Sequence, residues 1–311
     1  MFAEPRHFRD ERDLDGMRSL LRAGRRSKNG TYYVHTGDIN WWLYYPSFGV
    51  NLFEHLYVWD DPSKPGRLLA WVLLGYDSYS TFDVVIQPEL RGTPLALEMV
   101  NWAEQRMTGI LRSLGKDTIR VMWIFEDDTV MDEILRQRGF QPYAADVHMV
   151  RSLDEPIQVS GTPDGWTVRA CGGLEEVEAR AAAQHGAFGS SAPMDQYVGR
   201  FRHFMQSGVY NPEWDMVTAR EDGKIGAFCI TWPDPLNRVG LFEPVGTHPD
   251  FQRKGLGKAV MLESLRSLRE NGMRQAIVST AEDNEPGIKL YEAAGFRIVN
   301  RLMAYKKNIA N

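Results

Sequence analysis

The chain of 311 residues has two cysteines, Cys171 and Cys229, too few to staple a fold of this length. A disulfide framework is therefore not expected, and the cytoplasm is the expected compartment. No apolar run approaches the roughly 18 residues that a membrane helix needs. The start, Met1-Phe-Ala-Glu-Pro-Arg-His7, lacks an apolar signal core. Basic excess is missing too: 36 Lys and Arg stand against 41 Asp and Glu, a net charge of -5. That balance speaks against nucleic acid and mildly favours a cationic ligand. No two histidines show metal-ligand spacing and no Cys/His cluster occurs, so no metal is expected. A Gly-x-Ser-x-Gly nucleophile elbow is also missing. What remains is an ordinary globular composition, 43% hydrophobic and 25% charged, in a chain long enough for two domains.

The most informative segment runs Val245-Gly-Thr-His-Pro-Asp-Phe-Gln-Arg-Lys-Gly-Leu-Gly-Lys-Ala259. It reads as a strand end, a turn, a glycine-rich loop and the first turn of a helix. Gly255 and Gly257 let the backbone approach a ligand closely. The amides of residues 253 to 258 then point toward the positive end of the new helix, while Arg253 and Lys254 add charge at the rim. A Walker loop does not fit, because Ala259 follows Gly257-Lys258 where Ser or Thr is needed, and Gln252 stands where the first Gly belongs. A dinucleotide fingerprint fails at Val260. The pattern Q/R-x-x-G-x-G/A fits in full through Gln252, Gly255 and Gly257.

Downstream, Met261, Leu262, Leu265 and Leu268 share a helical face that Gly272 ends. Gln275–Ala281 reads as a buried strand. Asn284, followed by Pro286, caps a helix carrying Tyr291 and ending at Gly295-Phe296. A last strand, with a kink near Asn300, runs to about Lys306.

Over about residues 164 to 307 this order, with its Q/R-x-x-G-x-G/A loop and N-x6-Y-x3-GF spacing, strongly resembles the GNAT acyltransferase superfamily. The resemblance implies a mixed α/β fold and acetyl-CoA as co-substrate. It implies that the cofactor-binding residues are Val245, Gly246, Thr247, Gln252, Arg253, Lys254, Gly255, Leu256, Gly257, Lys258 and Asn284. The backbone of Val245 and Thr247 would pair with the pantetheine amides, and the Val245 N–H would polarise the thioester carbonyl. Tyr291 would protonate the leaving thiolate, and Glu243 would accept the amine proton. Glu243 also reads as a carboxylate that only orients the substrate, Tyr291 as a core aromatic, and Asn284 as a helix cap that can serve both ends. Pro244 and Gly246 fit a strand that opens at this point. His248 reads as a turn residue and Cys229 as a buried small hydrophobe.

The chain also repeats itself. Leu135-Arg-Gln-Arg-Gly139-Phe140 resembles Tyr291-Glu-Ala-Ala-Gly295-Phe296, and Ile86-Gln-Pro-Glu-Leu90 resembles Thr247-His-Pro-Asp-Phe251. The expectation is two tandem GNAT-like domains of mixed α/β type, the first (1–150) degenerate, a linker at 151–163 and a catalytic domain at 164–311. Matching Pro88 to Pro249 without a gap sets Pro94 opposite Gly255 and Ala96 opposite Gly257, while matching Gly139 to Gly295 sets Asp128 opposite Asn284 and Leu135 opposite Tyr291. A proline removes a phosphate donor from the first loop. Phe188, Ser190 and Tyr197 are the expected acceptor-binding residues. Phe201 and Phe204, on the same helical face as Tyr197, read rather as core. The aromatic segment Asn40-Trp-Trp-Leu-Tyr-Tyr-Pro46 reads equally as pocket wall or interdomain contact. The functional expectation is acetyl transfer to a primary amine of a small molecule or peptide, by a monomer or homodimer. A non-catalytic acetyl-CoA-binding protein, or an acyltransferase for a longer acyl chain, fits the same residues.

Overall fold

The computed structural model describes residues 4–27, 32–45, 50–76, 79–158 and 161–309. Residues 1–3, Pro46 of the aromatic segment and residues 159–160 of the expected linker lie outside them. The first half of the chain runs β1 (Arg6–His7), α1 (Glu11–Ser27), α2 (Thr36–Tyr44), β2 (Leu56–Asp60), β3 (Leu68–Gly75), β4 (Thr81–Ile86), α3 (Pro94–Ser113), β5 (Thr118–Phe125), α4 (Thr129–Gln137) and β6 (Gln141–Ser152). The second half runs β7 (Thr167–Ala170), α5 (Val177–Ala187), α6 (Met194–Met205), β8 (Asp215–Ala219), β9 (Ile225–Asp234), β10 (Val239–Thr247), α7 (Leu256–Glu270), β11 (Gln275–Ala281), α8 (Glu285–Ala293) and β12 (Arg297–Asn308).

These elements form two compact units, and neither is continuous in sequence. One comprises Met1–Thr36, Pro46–Val147 and Asn300–Asn311; the other comprises Gly37–Tyr45 and His148–Val299.

In the first unit, β1 to β4 are antiparallel neighbours in order, and β4 meets β5 in parallel at Thr81↔Arg120. The C-terminal part of β12 closes the sheet against β5, from Leu302↔Phe125 to Asn308↔Thr118. The irregularity in β12 falls between Met303 and Tyr305, beyond the expected kink near Asn300. Asn300 instead donates to Asp127 at 2.9 Å. On α3, Leu95, Met99, Ala103, Met107 and Leu111 recur at helical spacing and are buried against this sheet.

The second unit repeats the pattern: β7 to β10 are antiparallel neighbours, and β10 meets β11 in parallel. On α7, Leu256, Val260, Leu265 and Leu268 face the sheet. Gly240 admits them, since a Cβ there would stand 2.5 Å from Leu268 Cδ1. The aromatic segment belongs here. Trp41 stacks on Tyr45 one helical turn away at 4.2 Å, and both meet Phe204 edge-on. Arg180 of α5 and Asp215 of β8 form a fully buried ion pair at 2.9 Å. Tyr210 donates to that carboxylate at 3.2 Å, and the Phe228 ring faces the guanidinium at 4.0 Å.

Candidate active site

Strand β10 keeps β9 as a partner throughout but loses β11 midway. Its pairing with β11 covers Val239↔Gln275 to Leu241↔Ile277. Its pairing with β9 continues to Thr247↔Ala227, with a register shift between Phe242 and Val245. Glu243 and Pro244 occupy that shift. Proline has no N–H to give to a ladder, so the irregularity falls where the sequence cannot pair. Past Leu241, no strand pairs with the β11-facing edge of β10 among the described residues. Gly246 keeps β10 close to its neighbours, as a Cβ there would stand 2.4 Å from Phe228 Cζ.

Beyond β10, His248 caps a one-turn helix at Pro249–Phe251, its Nδ1 accepting from the Asp250 amide at 3.3 Å. It is thus a turn residue. The chain then enters the glycine loop. Arg253 has φ +59° and Gly255 φ +81°, both left-handed. The first amide of α7 to find an internal acceptor is Ala259 N, bonded to Gly255 O at 3.0 Å. Gly255 caps without a side chain. Among the described residues, the amides of 253 to 258 donate no hydrogen bond, leaving the positive helix end open to an anion. The two glycines have different reasons. Gly255 supplies the left-handed turn. Gly257 is tightly packed: a Cβ there would stand 2.8 Å from Thr247 Oγ1 and 3.3 Å from Leu290 Cδ2. Gln252 reaches back to Thr247 O at 3.4 Å, and Lys254 rests on Asp250 O at 3.1 Å, at the exposed rim.

Glu243 has a partner that sequence reasoning did not supply. Gly37, at the start of α2, lies so close to Trp232 of β9 that a Cβ would come within 2.4 Å of the indole side chain. Trp232 Nε1 in turn donates to Glu243 O at 2.7 Å. This packing brings Asp38 onto Glu243, and the two carboxyl groups share a hydrogen bond. Glu243 Oε2 is buried and has no partner among the described residues. Burial first, and the neighbouring Asp38 second, hold the Glu243 carboxyl well above the usual carboxylate range. Two carboxyl groups so placed titrate as a pair.

Tyr291 of α8 is 7% exposed, its ring edge-on to Phe296 at 6.2 Å. Burial raises its phenol above the ordinary range, and Cys229 and Glu243 add to the shift. Cys229 itself is fully buried and its thiol is pushed up by burial, as a small hydrophobe's would be. Asn284 caps α8, accepting from Gly287 N at 3.2 Å and donating to Thr280 Oγ1 at 2.8 Å, in an exposed position. The structure thus brings Glu243, Val245, Gly246, Thr247 and the 252–258 loop onto one strand-to-helix connection, with Tyr291 beside Glu243.

The three residues expected to bind acceptor are placed differently. Phe188 is 52% exposed at the end of α5, with its ring 5.9 Å from Phe228. Ser190 Oγ accepts from the Ala192 amide at 3.3 Å. Tyr197 is 3% exposed inside the aromatic cluster, its hydroxyl accepting from Gln184 at 3.3 Å.

An uncapped helix start follows a strand that loses one partner midway, with the Glu243 carboxyl on that strand. Residues 183–296 match the Acetyltransferase (GNAT) family, and the chain carries a GNAT acetyltransferase domain. It is an enzyme of the acyltransferase class. The chain is similar to the mycothiol acetyltransferase of Segniliparus rotundus, 25% identical over 233 residues that cover 71% of this chain and 88% of the relative. It is similar also to that of Acidothermus cellulolyticus, 26% identical over 269 residues, covering 78% and 76%. Among solved structures, a tandem GNAT protein from the clavulanic acid biosynthesis pathway superposes with a TM-score of 0.70 at 16% identity, covering 99% of this chain and 98% of that one. A GCN5-related N-acetyltransferase from Sphaerobacter thermophilus gives 0.65 at 21% identity, covering 98% and 95%. Both likenesses agree with two GNAT-like domains of mixed α/β fold. An altered first copy before an intact second one also resembles mycothiol synthase in architecture.

Proposed function

We propose that the second unit transfers an acetyl group from acetyl-CoA to a primary amine by direct attack. The observation that carries this reading is the opened edge of β10 leading straight into the uncapped start of α7. An extended pantetheine arm fits the first, and a pyrophosphate fits the second. Val245, Gly246 and Thr247 hold the arm, residues 252 to 258 the phosphates, and Asn284 the far side of the arm. The amine arrives as an ammonium and docks beside Asp38 and Glu243 once both carboxyl groups are ionised. Glu243 takes its proton, and the free nitrogen attacks the thioester carbon. The Val245 N–H steadies the carbonyl oxygen as charge develops there. The C–N bond forms as the C–S bond breaks, and Tyr291 protonates the departing thiolate. Phe188 and Ser190 flank the acceptor, while Tyr197 supports the wall from within. Positioning and a fixed donor supply the rate, without a covalent enzyme intermediate.

Calorimetric titration with acetyl-CoA tests the reading on the native chain and on Gly257→Pro. One site per chain, lost in the variant, is expected. Absence of binding to the native chain would remove the reading.

A further inference from the structure

The first unit repeats the opened strand but not its vacancy. Its parallel pairing of β4 with β5 stops at Thr81↔Arg120, and among the described residues no strand pairs with that edge of β4 beyond this point, as in β10. The two one-turn helices, Pro88–Leu90 and Pro249–Phe251, set the units in register. Ile86 then corresponds to Thr247 and Arg91 to Gln252, and the starts of α4 and α8 match Asp128 to Asn284. Asp128 and Asn284 even cap their helices alike, each accepting the amide three residues on.

In the first unit these three counterparts are tied to one another by the chain itself. The Tyr33 hydroxyl donates to Ile86 O and accepts from Ile86 N at 3.3 Å, using the backbone pair that Thr247 would offer to the arm. Arg91 donates to the same hydroxyl at 2.9 Å and forms an ion pair with Asp128. Its guanidinium also lies 4.4 Å from the Tyr32 ring centre. Tyr33 is 5% exposed, and the Arg91 and Asp128 side chains are 4% and 3% exposed. Gly24 of α1 makes the room, because a Cβ there would stand 2.1 Å from Tyr33 Cδ2. The loop is altered as well. Helix α3 begins at Pro94 after Thr93, one residue sooner after its turn than α7 does. Pro94 is therefore the counterpart of Leu256, the first helical residue, and the ungapped match to Gly255 is corrected. A proline there is well placed for starting a helix, but it has no amide to give a phosphate.

We propose that Tyr33 and Arg91 fill the first unit's cofactor cleft, so that the chain takes up one acyl-CoA, in the second unit. The location of that one molecule rests on the function proposed above; the filled cleft does not. Reversal of the filling would require breaking a buried ion pair and uncovering a strand edge, both costly.

Hydrogen exchange on the full chain, native and Tyr33→Phe, with and without acetyl-CoA, tests this. The Phe ring keeps the packing while the hydroxyl is lost. The Ile86 amide is expected to exchange slowly in the native chain and at least about tenfold faster in the variant, a change of about 1.4 kcal/mol in protection. Acetyl-CoA is expected to slow residues 245–258 and leave 84–95 unchanged, with one molecule bound per chain. Slowing at 84–95 in the native chain, or two molecules per chain, overturns the proposal. If acetyl-CoA slows neither segment, the acetyl-transfer reading fails, and Ile86 alone decides the cleft: faster exchange in Tyr33→Phe upholds the filling, unchanged exchange overturns it.

Discussion

In the proposed mechanism Glu243 is the base, and its carboxyl is held well above the usual carboxylate range. Its raised pKa has two sources, burial and Asp38, and only the second can be removed without reshaping the site. Proton abstraction needs the ionised form, so kcat/KM rises with pH as the pair ionises. In Asp38→Asn the like charge is gone, the Glu243 pKa falls, and the acidic limb moves to lower pH, though burial holds it above an ordinary glutamate's. A pH–rate profile reads this directly, and an unmoved limb would assign Asp38 no part in it. Glu243→Gln is expected to flatten the limb altogether. Stability follows the opposite course. A folded pKa above the unfolded one gives stability at low pH that is lost as pH rises through the folded value, so Asp38→Asn melts higher than the native chain at alkaline pH. Tyr291→Phe is expected to lower kcat while acetyl-CoA affinity stays within about twofold, since the hydroxyl acts on the leaving group; equal kcat would leave Tyr291 a core aromatic. Glu243 and Tyr291 could be singled out from sequence, the first by its place in the strand ahead of the glycine loop and the second by the N-x6-Y-x3-GF spacing. Asp38 could not, because it approaches Glu243 only through tertiary packing, with Gly37 lying against Trp232.

At the scale of elements, the strand-loop-helix connection explains why the loop's glycines, Gly255 and Gly257, are not interchangeable. Gly255→Ala places a Cβ at φ +81°, a left-handed residue costing about 1–2 kcal/mol. Gly257→Ala drives a Cβ toward Thr247 and Leu290, overpacking that costs about 1–3 kcal/mol and tilts α7 from β10. Both are expected to weaken acetyl-CoA binding. A Thr247→Ala or Leu290→Ala background should recover part of the loss for Gly257→Ala and none for Gly255→Ala, measured by calorimetry. Equal recovery would mean that the two share one cause. The loop's existence was readable from Gln252, Gly255 and Gly257, whereas the reason for Gly257 lies in the neighbouring strand and helix, outside the motif. The same limit explains the ungapped repeat: spacing alone does not reveal that the first loop is one residue shorter, since Pro94 fits either place in a linear match.

For the whole molecule, the consequential feature is that sequence order and compact units differ. The last strand of the chain completes the first unit's sheet at β5, and His148–Ser152 of β6 belongs to the second unit, where Leu153 N donates to Arg274 O at 2.8 Å. A strand's pattern of buried and exposed residues is the same whichever sheet it joins, so no periodicity in the sequence announces this exchange. The second unit also takes Gly37–Tyr45, which supplies Tyr45 to its aromatic core and Asp38 to Glu243. A fragment of residues 164–311 lacks both pieces. It leaves Phe201 and Phe204 without the Tyr45 ring, and β11 without the chain at 148–152. It is expected to show no cooperative thermal transition and no acetyl-CoA binding, while the full chain shows both. Scanning calorimetry of the fragment, with and without acetyl-CoA, checks this. A fragment that melts cooperatively and binds as tightly as the full chain would show that the exchanged segments are ornaments on a self-sufficient GNAT domain. If it folds but the acidic limb of its pH profile is shifted down, the core is self-sufficient and the N-terminal segment serves the chemistry alone, through Asp38.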